Sequence, residues 1–599
     1  MFNSKYAITA IAALLLIALT ISPATAAEPD PILEQIPAEI LLTVRINNLM
    51  PTLGQLDNYI AGISPVPIGT SQLAYMQIAN ILASPQLQGL DTNGSFTVFI
   101  TTDPENKPII NILAPVTDYQ QFIAQSQSIS EPNPQGISTL QFGLNPPPTV
   151  TQLDNYALIT LMTTTTAMPD TNTNQNFTPL TNKLDPIQAA DANNAPVWIY
   201  LNIDQIDKTF GPLIEQQLQM VQAMLKTASQ NQNNQSFDPA IIFDAYFNCI
   251  RQFLKQSDNV TVTITPKPDV LTFTKTVTAK PGTEMAKILV PTPSSKNSDL
   301  LGYLPDGAVM NFALRADSPL VKTLYDKGIE FVKTIAPEDI TDEDIAKWKE
   351  LSTDFLNAMA GPAVVSMKAN SKSTPVFSAK YALTITDQQL YTKTMNNSFQ
   401  LMTDNPTIQQ IYKSLGMEME FSIQKNTASY NDVAIDSAQL KFKVIDQNSP
   451  ESQIINAMYG DGFDYRWAAV DKLAVMAFGG STVDADIRTL IDQAKSPTPP
   501  QMQTEISQAL TMMPMAKDAD FFATYNYVRA INMLPKMFEA MGLDLGDVNI
   551  PTSSNMLLAA KIGDGKITTQ LAIPKQHLLE IMQLFKAIQM QQRQTTQKL

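Results

Sequence analysis

From Ile36 the chain reads "IPAEILLTVRI", and Leu42, Val44 and Ile46 alternate with polar positions. That period of two is the mark of a half-buried strand. Pro51 follows, where a helix would open, a place that suits proline because the first helical N–H has no partner. From Leu304 the chain reads "LPDGAVMNFALR", with Met310, Phe312 and Leu314 alternating and Pro319 behind them. Setting Pro37 on Pro305, an offset of 268, brings the strand face, the second proline and Leu56 with Leu324 into register.

The correspondence continues along the chain. Segments beginning at Gly94 and Gly361 both read as strand, polar turn, strand, then a helix capped at Thr117-Asp118 or Thr386-Asp387. Asp154-Asn155 and Asp471-Lys472 each precede an apolar strand, now at an offset of 317, which places an insertion near residues 425–465 of the second half. Asn202 then falls on Asn526, each ending a strand that leads into a helix, at 210–225 and 531–541. A hairpin follows in both, and Gly563-Asp564-Gly565 is a tight-turn sequence.

These patterns predict an α+β fold, internally duplicated, with mostly antiparallel sheets and helices packed on one face. The first copy spans 27–290, as two strand–helix–hairpin units at about 31–190 and 191–290. The second spans 301–599, as units at about 301–495 and 501–599. "PTPSSKNSD" from Pro291 supplies the linker at 291–300, and "SPTPP" from Ser496 a seam within the second copy. "SQNQNNQS" from Ser229 reads as a polar break between helices, and the Gln-rich end after Gln589 as a frayed tail.

Ile36-Pro37 with "ILLTVRI", and Leu304-Pro305 with "AVMNFAL", resemble the lead-in of uncharacterised exported bacterial proteins built from tandem α+β units. The resemblance covers most of the chain after the leader as a pattern, and it implies no catalytic residue.

Composition adds an address. Tyr6 to Ile21 is almost wholly apolar, and Ala24-Thr25-Ala26 has the small residues of a signal-peptidase site, so residues 1–26 read as a signal peptide. No later run reaches the ~18 apolar residues of a bilayer span, so the mature chain is expected to be soluble, in the periplasm or cell envelope. Cys249 is the only cysteine, which excludes an intrachain disulfide and fits a bacterial envelope protein better than a disulfide-dense secreted module. Its setting, "FDAYFNCIRQFL", predicts a buried structural thiol on a helix. The net charge is −16, and no basic cluster interrupts it, which argues against nucleic-acid partners.

Candidate chemistry is sparse. His577 is the only histidine, and no G-x-S-x-G turn marks a nucleophile for it, so a surface or packing role is expected. One His and one Cys can build neither a closed structural zinc site nor a three-ligand His/Cys catalytic one. Glu338, Asp339, Asp342, Glu343 and Asp344 lack the order of a calcium loop; Thr341 instead reads as a helix cap. Asp461 and Asp464 sit in a turn-like stretch of no particular chemistry. Met512, Met513 and Met515 raise copper(I), against which stands their place in the apolar lead-in of the repeat. No phosphate-cradling loop is present, and no cofactor or metal is expected. The reading that remains is a non-enzymatic envelope protein that binds or scaffolds, with an envelope protein or an apolar ligand as partner. Its rivals are a carrier or chaperone for apolar ligands or lipids, and a carboxylate-dependent hydrolase.

Overall fold

A computed structural model describes residues 31–63, 69–141, 146–161, 177–230, 239–292, 299–335, 341–370, 374–405, 409, 413, 417–445, 450–460, 462–531 and 550–598. The leader, most of the polar break after Ser229, most of the linker after Pro291, and the helix expected at 531–541 beyond Ile531 lie outside these residues. The chain forms two compact units, residues 1–216 with 251–280, and residues 217–250 with 281–599.

Unit 1 begins with β1 (Leu42–Ile46), then α1 (Leu49–Ile60) and α2 (Thr70–Ile81). The hairpin β2 (Phe96–Thr102) and β3 (Pro108–Pro115) leads to α3 (Tyr119–Gln125), whose cap Asp118 accepts from the Gln121 N–H. Next come β4 (Ser138–Thr139), the hairpin β5 (Thr149–Leu153) and β6 (Tyr156–Leu161), α4 (Pro186–Asn194) and β7 (Val197–Asn202). Two long helices, α5 (Ile203–Gln230) and α6 (Pro239–Gln256), precede β8 (Ser257–Pro266) and β9 (Val270–Ala279). Every pairing is antiparallel, in the order β4-β5-β6-β3-β2-β1-β7-β8-β9.

Unit 2 contains α7 (Glu284–Ile288), β10 (Met310–Arg315), α8 (Pro319–Ile335), α9 (Asp342–Ala358), β11 (Met359–Ala369) and β12 (Phe377–Ile385). After α10 (Gln388–Asp404) come the long hairpin β13 (Met417–Tyr430) and β14 (Val433–Val444), α11 (Pro450–Tyr459), and the hairpin β15 (Phe463–Val470) and β16 (Leu473–Gly479). The unit ends with α12 (Val483–Lys495), α13 (Thr504–Met512), β17 (Phe521–Tyr525), α14 (Tyr527–Ile531), β18 (Met556–Gly563), β19 (Lys566–Pro574) and α15 (Lys575–Lys598). Its pairings, again all antiparallel, give β13-β14-β15-β16-β12-β11-β10-β17-β18-β19. This is the succession of unit 1 with β13 added at one end.

Registers correspond as well as order. Val44 pairs with Val98 on one side and Ile199 on the other. Phe312, its counterpart, pairs with Val365 and Ala523. Turn chemistry explains the hairpin ends: Asp154 and Asp471 adopt positive φ between strands, as do Asp564 and Gly565. The added strand is β13, at 417–430, which corrects the placement of the insertion at 425–465: β14 and β15 correspond to β4 and β5. β13 belongs to the core, because its Met419 and Phe421 pack with Phe399 and Trp467.

The sheets are covered on both faces, which corrects the expectation of helices on one. In unit 1, Ile112, Val150 and Ile159 pack under Tyr75 of α2 and Phe122 of α3. The reverse face presents Phe99, Leu113, Trp198 and Tyr200 to Ile32, Leu180 and Ala192 of α4. In unit 2, α10 packs Tyr391, Met395 and Phe399 on one face. On the other, Asp484 and Asp486 of α12 meet Arg466 and Lys380, which alternate with the residues facing α10. Strand β1 shows the consequence: Thr43 and Arg45 are 0 and 1 % exposed, while Leu42 and Val44 are only half-buried. The polar positions of the alternation face inward. Two smaller differences follow the chain ends of helices: α1 opens two residues before Pro51, and α15 continues to Lys598 where a frayed tail was expected.

Candidate functional site

The face of unit 2 that carries α12 and α13 gathers charged and polar side chains from four strands and three helices. Direct cross-strand pairs place Lys380, Ser366, Asn311 and Thr524 in one row, on β12, β11, β10 and β17. Lys368, two residues beyond Ser366, lies on the same face. Lys380 donates to Asp486 at 2.6 Å. Lys368 makes no hydrogen bond or ion pair among the described residues. Burial, and then the charge of Lys380, push its ammonium below the usual lysine range. The floor is unsatisfied too: Ser366 Oγ and Asn311 Oδ1 are buried without a hydrogen-bond partner. Such groups are uncommon in folded proteins, since each costs about 1–3 kcal/mol.

At one end of this face stands an ion pair. Arg529, in α14, donates to both oxygens of Glu505, in α13, at 2.6 and 2.9 Å. Asn555 and the Gly307 N–H donate to the same carboxylate, at 3.0 and 3.3 Å. Burial raises the Glu505 pKa, but these donors outweigh it and hold the carboxyl below its ordinary value. Arg529 also caps the Ala308 and Thr552 carbonyls, at 2.9 and 3.1 Å. Its own N–H is received by Asn526, the residue that ends β17.

Unit 1 holds neutral residues at the matching positions. Thr101, Asn111 and Thr160 stand where unit 2 has Lys368, Lys380 and Ala477, and they bond to one another across three strands at 3.2 and 3.1 Å. Gln188 bonds Asn259 at 2.8 Å, where Glu505 receives Asn555. Gln205 stands where Arg529 does, its N–H received by Asn202. The buried cation of unit 1 is Arg45, which donates to Asn47 and Thr97 at 2.7 and 3.3 Å.

The residues singled out in the sequence fall elsewhere, His577 excepted. It is wholly buried, with Nε2 accepting from the Tyr527 N–H at 3.2 Å and Nδ1 facing Glu580 at 3.6 Å. Glu580 is itself held by Thr552, Ser553 and Gln576. Burial keeps the imidazole below its ordinary pKa against the pull of Glu580, so the ring serves as a neutral acceptor at the start of α14. Cys249 is exposed, which corrects the expectation of a buried thiol. Phe247 takes the inward position on α6, and a residue two further on points to the far side of the helix. Thr341 caps α9 in a box with Asp344, and Asp342 and Glu343 share that first turn. Glu338, Asp339 and Asp461 lie outside the described residues; Asp464 accepts from Gln439 at 3.2 Å. Met513 is buried core at the end of α13, with Met512 and Met515 half-buried beside it. Among the described residues no group of three His, Cys, Asp or Glu is placed to hold a metal ion. None of their helices is long and apolar enough to cross a membrane.

Lys368, Ser366, Asn311 and Arg529 carry no motif, and the alternation of Met310, Phe312 and Leu314 leaves Asn311 on the opposite, polar face. The visible trace was the departure of "MNFALR" and "AVVSMKA" from "LTVRIN" and "FTVFITT" at the aligned positions of that face.

No family model and no curated protein matches the chain. Among solved structures, crystal form IV of TP0453 is similar over 47 % of this chain and 96 % of that one, at 10 % identity and a TM-score of 0.23. Crystal form III covers 47 % and 97 %, at 10 % identity and a TM-score of 0.21.

Proposed function

We propose that the chain is an exported envelope protein with a binding or scaffolding role, made by duplication of one α+β unit whose second copy has acquired a charged interior. The carrying observation is a common strand order with altered chemistry at matched positions. Order and register repeat through nine strands, and Thr101, Asn111 and Gln205 give way to Lys368, Lys380 and Arg529. A fold conserved between copies while its interior changes charge is the pattern of a site grafted on a scaffold. The acids and the histidine nearby are engaged otherwise: Glu505 accepts four hydrogen bonds and His577 is closed off. That favours binding over hydrolysis. The test is gentle isolation of the chain from its native cell envelope after chemical crosslinking. A stoichiometric protein or small molecule carried with it is expected, along with an intact mass beginning at Ala27. Recovery of the bare chain with turnover of ester or glycoside substrates would overturn the reading.

One observation favours a second reading, a carrier of apolar molecules. Leu213, Met220 and Met224 of α5 and Tyr246 of α6 expose large apolar side chains along one helix pair. Organic extraction of the native protein checks it; an extract free of lipid removes it.

A further inference from the structure

We propose that the chain forms a two-fold dimer through β13, the strand that the second copy adds, pairing antiparallel with a second copy of itself about Phe421. Dimerisation at this edge is independent of the charged interior of unit 2.

β13 ends the unit 2 sheet, with β14 on one side and no strand on the other among the described residues. The backbone N–H and C=O groups along such an edge are a template for another strand. Unit 1 closes the same end with β4, whose two residues, Ser138 and Thr139, leave little to pair with. A very short edge strand is a usual protection against unwanted pairing. The fourteen residues of β13 give up that protection.

What protection remains covers only half of the strand. Between Gln424 and Ala428 the register shifts, Asn426 turns to positive φ, and its N–H goes to Asp436 Oδ1 at 2.8 Å. That irregularity spoils the far half for a partner. From Met417 to Gln424 the ladder is regular and holds neither proline nor glycine. Phe421 is the midpoint of residues 418–424.

Charge sets the partner and the register. Met419, Phe421 and Ile423 pack toward α10, where the Phe399 and Phe421 ring centroids lie 5.2 Å apart. Glu418, Glu420, Ser422 and Gln424 alternate with them and are exposed. On β14, Lys443 and Lys441 stand opposite the two acids. Opposed residues of an antiparallel pair share a face, so the two-fold must pass beside one residue and its own copy. Centred on Phe421, it sets Glu420 against Ser422 of the second copy, Glu418 against Gln424 and Met419 against Ile423. Centred on Met419 it would set Glu418 against Glu420, and centred on Glu420 that acid would meet itself. Centred on Ser422 it would drive Lys425 against Met419. The Phe421 register uses the whole regular stretch and directly opposes no like charges, which is the self-complementarity an isologous contact requires.

Sedimentation of the full chain tests the proposal. Dimer should appear as the concentration rises to about 0.2 mM, because a contact of one strand pair is small and weak. Ser422→Lys should tighten the dimer and Ser422→Glu loosen it, each by about threefold to tenfold, since each change acts twice across the two-fold against Glu420. Neither should move the melting temperature of the monomer, because Ser422 is exposed. Spin labels on Gln424→Cys, in a Cys249→Ser background, should report backbones about 20 Å apart in the dimer, six residues along the strand. A chain that stays monomeric at that concentration, equal dimerisation of Ser422→Lys and Ser422→Glu, or a label separation far from that value would each overturn it. So would a different protein crosslinked to β13 of a monomeric chain, since the edge would then belong to a foreign strand.

Discussion

Arg529 grips Glu505 through both terminal nitrogens, and the same positions in unit 1 are Gln205 and Gln188. Arg529→Gln alone should therefore be costly. It leaves a carboxylate that is only 11 % exposed facing Asn555 and one N–H, and the loss of one partner from a buried pair is worth about 3–5 kcal/mol. Adding Glu505→Gln restores the chemistry that unit 1 already uses and should return most of the loss. Denaturant midpoints of the single and double variants check this. A double variant no more stable than Arg529→Gln would show that the pair does not act as a unit.

His577 makes stability fall in mild acid. Its folded pKa lies below the ordinary 6.5, so as pH drops under 6.5 the unfolded chain takes up a proton that the folded chain refuses. The slope is at most one proton, about 1.4 kcal/mol per pH unit. His577→Gln should flatten the profile of melting temperature between pH 6.5 and 5. A profile identical to that of the parent would mean that the carboxylates carry the whole effect.

Asp191, in α4, acts in the opposite sense. Burial, with the charge of Asp185 behind it, raises its carboxyl from 3.8 to about 6. The folded chain keeps this proton where the unfolded chain has lost it. Stability from Asp191 is full below 3.8 and lost as pH rises through about 6. Asp191→Asn should raise stability at pH 7 by about 1–2 kcal/mol, allowing for screening of a partly exposed group, and leave it nearly unchanged at pH 3.5. Equal gains at both values would assign the effect to packing instead.

The exposed Cys249 should react in the folded protein. Stoichiometric labelling by a maleimide within minutes at pH 7, with no change in melting temperature, is expected. Labelling that appears only in denaturant would place the thiol inside.

Much of the architecture was legible because hydrophobic alternation and turn chemistry are local. Pro37 and Pro305, Asp154 and Asp471, Asn202 and Asn526 mark the same steps in both halves, and each is set by backbone demands that a few neighbours reveal. The site was not legible, and the reason is geometric. Alternation tells which residues share a face, not whether that face meets water. With α4 over one sheet and α12 over the other, Thr43, Arg45, Asn311 and Ser366 lie inside. Nor does a local pattern reveal the meeting of Glu505 with Arg529 or of Tyr527 with His577, which depends on how distant elements pack.

Strand β1 is flanked by β2 and β7, so Val44 reaches one partner at once and must wait for Ile199 to be made before its other edge closes. The same holds in the second half, where Phe312 waits for Ala523. Each sheet thus keeps an open central edge while well over a hundred residues emerge. Such long-range closure slows folding and leaves a strand edge free to pair wrongly. Two central strands closed late in this way, in one chain, put a premium on completing the first set of pairings before the second appears.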